Sequence, residues 1–574
     1  MGTMKNRKPL IITISVITAL IISFIAFVFF GTSMQFENKT IQEKTILSTF
    51  PEDYLTGSSL LINWAKVDLS QVDVKTPGQY DAACQVLFKK HKFTVNVVAP
   101  KFETTDIELG TEPDKNIATY LAGDATYIQN ATLDISNVNG YQLGKYEANL
   151  KIDNLTFVYE ICVIDTTAPT LELNDVKYLA MLREYDEKHF VKNSFDLSGP
   201  VDISLESKNQ NSETLNFDKT GNETIYIVGK DSSGNVTREK MTVTVDIAPL
   251  ILGVFDTYVI AGEEFDAKTN LVVYDNEEGD ITSKVNITKN TVDADTVGEY
   301  EVAYEATDKN GLTTEKEVKI YVCEKKDKAN YVHLGKKTMP QEELFLLCET
   351  DYFSTKPLEK EDKEKALEMI IPSTLRIGKK FSNSESFGSG FIYDITPEYT
   401  YIFSVKHVVR NFGKSCDIMF WDDVEINAPF IWTTGSKNNE LIIARIKTED
   451  IPTDTLLKLK EPYVDEKVYD DLSSGQEAIQ HSENWGFDFA DRKQQTKYVK
   501  IKNVKDSVTE SYYPDACIST TRGARAGMSG GPMIDCYGRV IGSASCIYKD
   551  ADYYMRIENL DIMMKKLQEE EDED

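Results

Sequence analysis

Histidine is scarce in this chain, with five copies among 574 residues. A reaction that needs an imidazole base therefore has few places to find one. Positive charge is short as well: 63 lysines and arginines face 93 aspartates and glutamates, a formal net charge of -30. Nothing resembles the basic footprint that neutralises phosphates, which argues against nucleic acid as a partner. The eight cysteines include no CxxC pair and no Cys/His spacing of the kind that holds zinc. No glycine loop follows a strand as a phosphate cradle would require, and no metal-ligand cluster stands out. Neither a cofactor nor a metal is expected.

Long hydrophobic runs are also rare. The stretch from Leu10 to Phe30 is nearly all apolar and carries no charge; as a helix it would span about 31 Å, close to the hydrocarbon thickness of a bilayer. Lys5, Arg7 and Lys8 precede it, while Glu37, Lys39 and Glu43 follow in mixed sign. The positive-inside rule then puts residues 1–9 in the cytoplasm, 10–30 in the membrane and the remainder outside. The run exceeds an ordinary signal-peptide core, and Phe29-Phe30-Gly31-Thr32-Ser33 offers no small-x-small cleavage site. An uncleaved anchor is the expectation. The cysteines at 84, 162, 323, 348, 416, 517, 536 and 546 then lie where disulfides persist. Eight allow about 105 pairings, and buried free thiols are the competing reading. Residues 568–574 read as a solvated acidic tail.

At this length the chain should hold several domains, and the middle of it repeats. Asp231-Ser232-Ser233-Gly234-Asn235 returns as Asp308-Lys309-Asn310-Gly311-Leu312, and Asp202-Ile203-Ser204 as Asp280-Ile281-Thr282. Ala168-Pro169 and Ala248-Pro249 open the two units. Alternating runs such as Thr224–Val228 and Tyr300–Tyr304, set between Asp/Asn/Gly turns, indicate β-sandwiches. Residues 247–323 resemble bacterial immunoglobulin-like surface repeats in Asp275 to Thr282, in the turn Gly298-Glu299-Tyr300 and in the Asp308 turn. Gly78-Gln79-Tyr80 and Gly144-Lys145-Tyr146 echo that turn upstream. Four sandwich units follow, over 44–98, 99–165, 166–246 and 247–323, then a linker over 324–365. The acidic Asp275–Asp280 stretch reads as a polar turn, because it lacks the EF-hand spacing of a calcium loop.

From 366 the pattern changes to strands that carry chemistry. Gly527-Met528-Ser529-Gly530-Gly531-Pro532 offers a serine hydroxyl between glycines, with the amides of Gly527 and Ser529 free to hold an oxyanion. A nucleophilic serine needs a base. His91 and His189 fall in the repeats and His333 in the linker, which leaves His407 and His481. His407 ends the apolar run Tyr401–Val405 and follows Gly388-Ser389-Gly390-Phe391-Ile392, whereas His481 sits in a polar stretch read as a loop. His407 is the expected base.

Residues 366–567 thereby resemble the trypsin-like, chymotrypsin-fold serine peptidases, in the style of the glutamyl endopeptidase and HtrA branches. The resemblance rests on Pro372–Ile377, on Lys406-His407-Val408-Val409 and on Gly527–Pro532. It implies a mainly β chain in which tandem immunoglobulin-like sandwiches precede a two-barrel domain closed by a helix near Ile557–Leu567. It also implies an endopeptidase with a protein or peptide substrate, which the apolar segment 10–30 would tether outside the cell. The family places Asp before an apolar strand; here Glu440 precedes Leu441–Ile446, with Asp422 and Asp423 as competing carboxylates upstream. Where trypsin-like enzymes carry an aspartate for basic substrates this chain has Gly523, and no histidine follows Ser529. The irregular acid keeps a second reading alive, a surface adhesin or sensor with an impaired protease-like domain.

Overall fold

Strict alternation of apolar and polar residues makes most of this chain β-sheet. Leu155–Ile164, for example, turns Phe157, Tyr159, Ile161 and Val163 inward and leaves the intervening side chains outside. The computed structural model describes residues 8–335, 338–381, 384–434, 440–485, 492–508 and 513–569. Most of the expected cytoplasmic stretch, Asn438, Asn439 and the acidic tail from 570 lie outside them. The chain divides into two compact units, one formed by Met1–Val176, Glu184–Asn216 and Glu223–Thr242, the other by Lys177–Arg183, Phe217–Asn222 and Val243–Asp574.

The first unit begins with the apolar helix Lys8–Phe30, long and apolar enough to cross a membrane. Its last turn is built into the sandwich that follows. Val28 is fully buried among Leu55, Leu61 and Val86, Phe29 stacks on Phe88 at 5.8 Å, and the Lys89 ammonium donates to the carbonyls of Phe29 and Thr32. A cation at that end complements the helix dipole. In this sandwich Asn38–Gln42, Lys89–Pro100, Gly78–Val86 and Ala65–Asp68 lie side by side around Tyr54 and Phe93. In the next, Thr104–Glu108, Leu155–Ile164, Gly144–Ile152 and Thr132–Asp134 do the same around Tyr120 and Tyr159. The unit's remaining strands include Thr170–Leu173 against Val191–Phe195, with Asp202–Glu206 pairing residues 226–230.

The second unit contains another such sandwich and two larger sheets. Thr257–Ile260, Thr313–Cys323, Gly298–Thr307 and Asn286–Asn290 form one face and Leu250–Leu252, Val272–Asp275 and Gly279–Asp280 the other. The repeated Gly-x-Tyr turn now has a physical reason. The hydroxyls of Tyr80, Tyr146 and Tyr300 each donate to the carbonyl four residues back, at 2.8, 2.9 and 2.8 Å, and each ring lies over the glycine two residues before it. A linker strap follows. Its helix Gln341–Cys348 buries Leu344 and Leu347, and Tyr352 meets Tyr274 of the sandwich edge-on while donating to the carbonyl of Leu457 beyond.

The two larger sheets have seven strands each. The first runs in the order Glu425–Pro429, Ser415–Met419, Thr374–Phe381, Ser384–Ile395, Tyr399–Val405, Leu441–Lys447, Ile431–Thr434. The second runs Tyr463–Val464, Arg539–Tyr548, Pro532–Asp535, Glu477–Trp485, Arg492–Val508, Tyr513–Thr521, Ala551–Met555; a further pairing of Arg539–Tyr548 with Ala551–Met555 closes it into a barrel. The helix Leu560–Glu569 then crosses back to the first sheet, burying Met563 and Leu567, with Lys566 donating to the carbonyl of Thr434. All eight cysteines are free, most of them buried, which favours the thiol reading.

One interior hydrogen bond measures how much such sandwiches owe to their tyrosines. Tyr304, buried at 2% exposure, donates to the carbonyl of Ala267 at 2.7 Å. Tyr304→Phe leaves that carbonyl unpartnered and should cost about 1–3 kcal/mol of stability, read as an earlier midpoint in urea unfolding.

Candidate active site

Two neighbouring strands bring the histidine and the glutamate together. Tyr399–Val405 and Leu441–Lys447 are apolar and buried almost throughout, and they pair antiparallel from Tyr399 opposite Lys447 to Val405 opposite Leu441. The residue before Leu441 and those after Val405 must then meet at one sheet edge. They do: Lys406 N–H donates to the Glu440 carbonyl at 2.7 Å, and His407 N–H to Glu440 Oε2 at 3.1 Å. His407 Nδ1 lies 2.8 Å from the same oxygen. A carboxylate only accepts, so Nδ1 carries a proton; in the neutral ring the free lone pair is then the one on Nε2.

The electrostatics favour an ionised glutamate. Burial raises the pKa of Glu440, yet the side-chain and backbone hydrogen bonds from His407, with smaller effects of the His407 and Lys406 charges, hold it below the ordinary carboxylate value. Asp422 is engaged elsewhere, accepting from Thr455 Oγ1 at 3.1 Å and facing Lys458 at 3.5 Å. His481 lies on the strand Glu477–Trp485 rather than in a loop: it is buried, bonded to Thr496 Oγ1 at 3.0 Å, and burial pushes it down to about 4. A run of polar residues hid that strand, because its side chains bond those of neighbouring strands inside the barrel, His481 with Thr496, Glu483 with Gln494 and Gln480 with Tyr554.

Ser529 arrives from the second sheet on a tight turn. Its carbonyl accepts from Ser389 N–H at 2.7 Å, while Ser404 Oγ donates to the Ser389 carbonyl at 2.8 Å. The strand that leads to His407 is thus linked to the serine turn through Ser389 of the neighbouring strand Ser384–Ile395. Gly388 marks the convergence: a β-carbon there would stand 2.5 Å from Val408 and 2.9 Å from the Ser529 carbonyl. At Gly530 (φ +88°) a β-carbon would lie 2.0 Å from the Ser389 carbonyl, so only glycine lets the turn close. Three amides of the turn are occupied: Met528 donates to the carbonyl of Arg525, Gly530 to that of Ala544 and Gly531 to that of Met528. Those of Gly527 and Ser529 have no acceptor among the described residues. Gly527 itself has φ +89°, a left-handed conformation that turns its amide without a side chain in the way. The Ser529 hydroxyl and His407 are not hydrogen-bonded in this state.

A cavity of about 230 Å³ opens beside Ser529, between Ala524 and Ala526 on one wall and Ala544, Cys546 and Tyr553 on the other. Burial, with the charges of Glu440 and Asp552 added, pushes the Cys546 thiol up to about 11. One residue of this site escaped the sequence reading. Asp552, 1% exposed, accepts from the amides of Gly523 and Ala524 at 2.5 and 2.6 Å through one oxygen and pins the loop that leads to Gly527. It follows the serine motif on a later strand, and no spacing could have revealed it.

Residues 250–322 match the family described as bacterial surface protein, Ig-like domain. A stretch of 161 residues is 30% identical to the pesticidal crystal protein Cry22Aa of Bacillus thuringiensis, covering 27% of this chain and 22% of that protein. The chain therefore spans well under two thirds of the curated relative it matches. Among solved structures, it is similar to the HtrA-type protease AlgW with tripeptide, at TM-score 0.30 and 17% identity over 36% of this chain and 64% of that one. It is similar also to Deg5, at 0.26 and 18% over 34% and 90%. Likeness at this level is coarse, and the chemistry must be argued from the residues of this chain.

The Glu440 interaction predicts a pH signature. Because its folded-state pKa is depressed, the pairing stabilises the fold at neutral pH and loses that contribution as pH falls through and below the ordinary value of 4.5. Wild type should melt above Glu440→Gln at pH 7, and the gap should shrink by pH 3 in paired thermal scans.

Proposed function

We propose that residues 366–567 form a serine endopeptidase domain that cleaves protein or peptide substrates through an acyl-enzyme on Ser529. The observation that carries this reading is the shared end of two paired strands: a histidine whose Nδ1 is braced by a half-buried carboxylate, one strand away from a serine turn with two amides that have no acceptor among the described residues. In this mechanism Ser529 Oγ attacks the carbonyl carbon of the scissile bond as His407 Nε2 takes its proton. Glu440 holds the Nδ1–H and balances the imidazolium that forms. The amides of Gly527 and Ser529 receive the oxyanion, each contributing about 3–4 kcal/mol. His407 then delivers the proton to the leaving amine, and water repeats the sequence to release the acyl group. Catalytic hydrogen bonds of this type often tighten only once substrate is bound. The adjoining cavity, small and lined by alanines, suits one side chain of modest size.

The test is direct. A fluorophosphonate probe should label wild type and miss Ser529→Ala, and either Ser529→Ala or His407→Ala should lower turnover by about 10⁶. Glu440→Gln should cost about 10⁴, since the amide cannot hold the Nδ1–H tautomer. Equal labelling of wild type and Ser529→Ala, or no cleavage by wild type across a diverse peptide library, would sink the assignment and leave a binding module.

The domain is further proposed to be membrane-tethered, with a cytoplasmic N-terminus and an external remainder. The burial of Val28 in the first sandwich and the Lys89 cap favour an uncleaved helix, since cleavage near residue 31 would empty that site. Exposed Leu60, Trp64, Leu87 and Phe88 belong to the same sandwich, and Phe88 stacks on the helix end, as suits a membrane-facing rim. The mature chain should fractionate with membranes and begin upstream of Lys8 by N-terminal sequencing; a start near Thr32 would contradict the tether.

A further inference from the structure

Asp552 carries more charge than the loop it pins requires. Its Oδ2 is committed to the amides of Gly523 and Ala524, while Oδ1 is buried and has no hydrogen-bond partner among the described residues. A carboxylate taken out of water with one oxygen unanswered is costly, and two backbone amides do not cancel its charge. Pinning a loop needs no such charge, because the oxygen of an asparagine would accept the same two bonds. The surplus oxygen calls for a donor that arrives from outside.

The surroundings of Asp552 say where that donor would enter. Ala524, whose amide it holds, Ile547, opposite it in the sheet, and Tyr554, two residues on and therefore on the same strand face, all line the cavity of about 230 Å³ beside Ser529. Asp552 thus stands directly behind the wall of that cavity. A second open acceptor belongs to the wall itself: Ser545, 6% exposed, has an Oγ that is buried without a partner among the described residues. Alanines at 524, 526 and 544 make the sides apolar. Apolar sides with an unanswered anion behind them match a side chain that carries a cation on a methylene stem. Arg525 also borders the cavity, but it is exposed, and a solvated charge is screened far more than a buried one.

We propose that this cavity takes a lysine or arginine side chain of the substrate, its methylenes between the alanines and its cation on Asp552 Oδ1, with Ser545 Oγ as a second acceptor. The inference rests on the reading of Ser529 as the nucleophile, since the cavity then selects the residue whose carbonyl Ser529 attacks. A basic side chain answers the buried charge on binding, whereas a neutral one of the same length leaves it unanswered. The same carboxylate holds the loop that leads to Gly527, so recognition of the side chain and placement of an oxyanion amide meet at one residue.

The experiment treats the full chain in detergent with an alkyl fluorophosphonate, which has no side chain for the cavity, and with peptide diphenyl phosphonates that carry lysine, norleucine or glutamate next to the phosphorus. Norleucine keeps the stem of lysine without its charge. Lysine should react about 10–100-fold faster than norleucine, and glutamate slowest. Asp552→Asn should bring the lysine-to-norleucine ratio to about 1 or below, and Ser545→Ala should lower it several-fold. Each ratio is taken within one protein, so a general loss of activity from a displaced loop would not move it. If Asp552→Asn does not fold, the ratios in wild type and Ser545→Ala decide. Norleucine matching or outpacing lysine in wild type while the fluorophosphonate still labels Ser529 would overturn the cation site and leave the nucleophile standing. An unchanged ratio in Asp552→Asn, or glutamate reacting fastest, would do the same. Absence of fluorophosphonate labelling would instead remove the nucleophile, and the inference with it.

Discussion

The antiparallel register between Tyr399–Val405 and Leu441–Lys447 is the constraint on which the site depends. Both strands are buried almost throughout, so a slip by one residue would turn a row of apolar side chains the wrong way. Burial therefore enforces the pairing of Val405 with Leu441, and that pairing delivers Glu440 to the foot of the His407 turn. Fixing the imidazole is then a by-product of fixing the core. The longer side chain of glutamate fits because its oxygen reaches both the ring and the backbone amide of His407, so the position is braced twice.

The serine is positioned by a different device. Ser529 belongs to the second sheet, and what holds it against the first is backbone contact through Ser389, made possible by missing β-carbons at Gly388 and Gly530. Close packing of main chain on main chain leaves little freedom to drift, and Asp552 removes more by pinning Gly523 and Ala524. The proposed nucleophile and base thus sit on separate sheets whose seam is itself rigid. Preorganised amides act strongly in such a setting because no reorganisation accompanies the reaction.

Much of this was legible in the sequence, and the boundary of legibility is physical. His407, Glu440 and Ser529 each sit where an apolar run meets a turn, so local pattern marks them. The Gly-x-Tyr repeat was visible too, although its cause, a hydroxyl closing the turn over a glycine, needed coordinates. Asp552 was not legible, because its partners Gly523 and Ala524 stand on another segment and meet it only through sheet pairing. His481 was misread for the opposite reason: Gln480, His481 and Glu483 look like a surface loop, yet all three are buried in the second barrel. Cysteine pairing had no sequence answer, and in the structure all eight are free.

The same logic bears on how the chain connects its parts. A flexible stalk would show polar, weakly packed junctions. Within the second unit the junction is a strap of half-buried aromatics instead: Tyr352 lies edge-on to Tyr274 at 4.9 Å and donates to the carbonyl of Leu457, while Asn270 donates to Asp454 at 3.2 Å. In the first unit, the apolar helix enters its sandwich through a buried valine and a lysine cap. Ordering these joints costs conformational entropy that a loose tether would keep. That cost is offset only where a fixed geometry at each joint is useful.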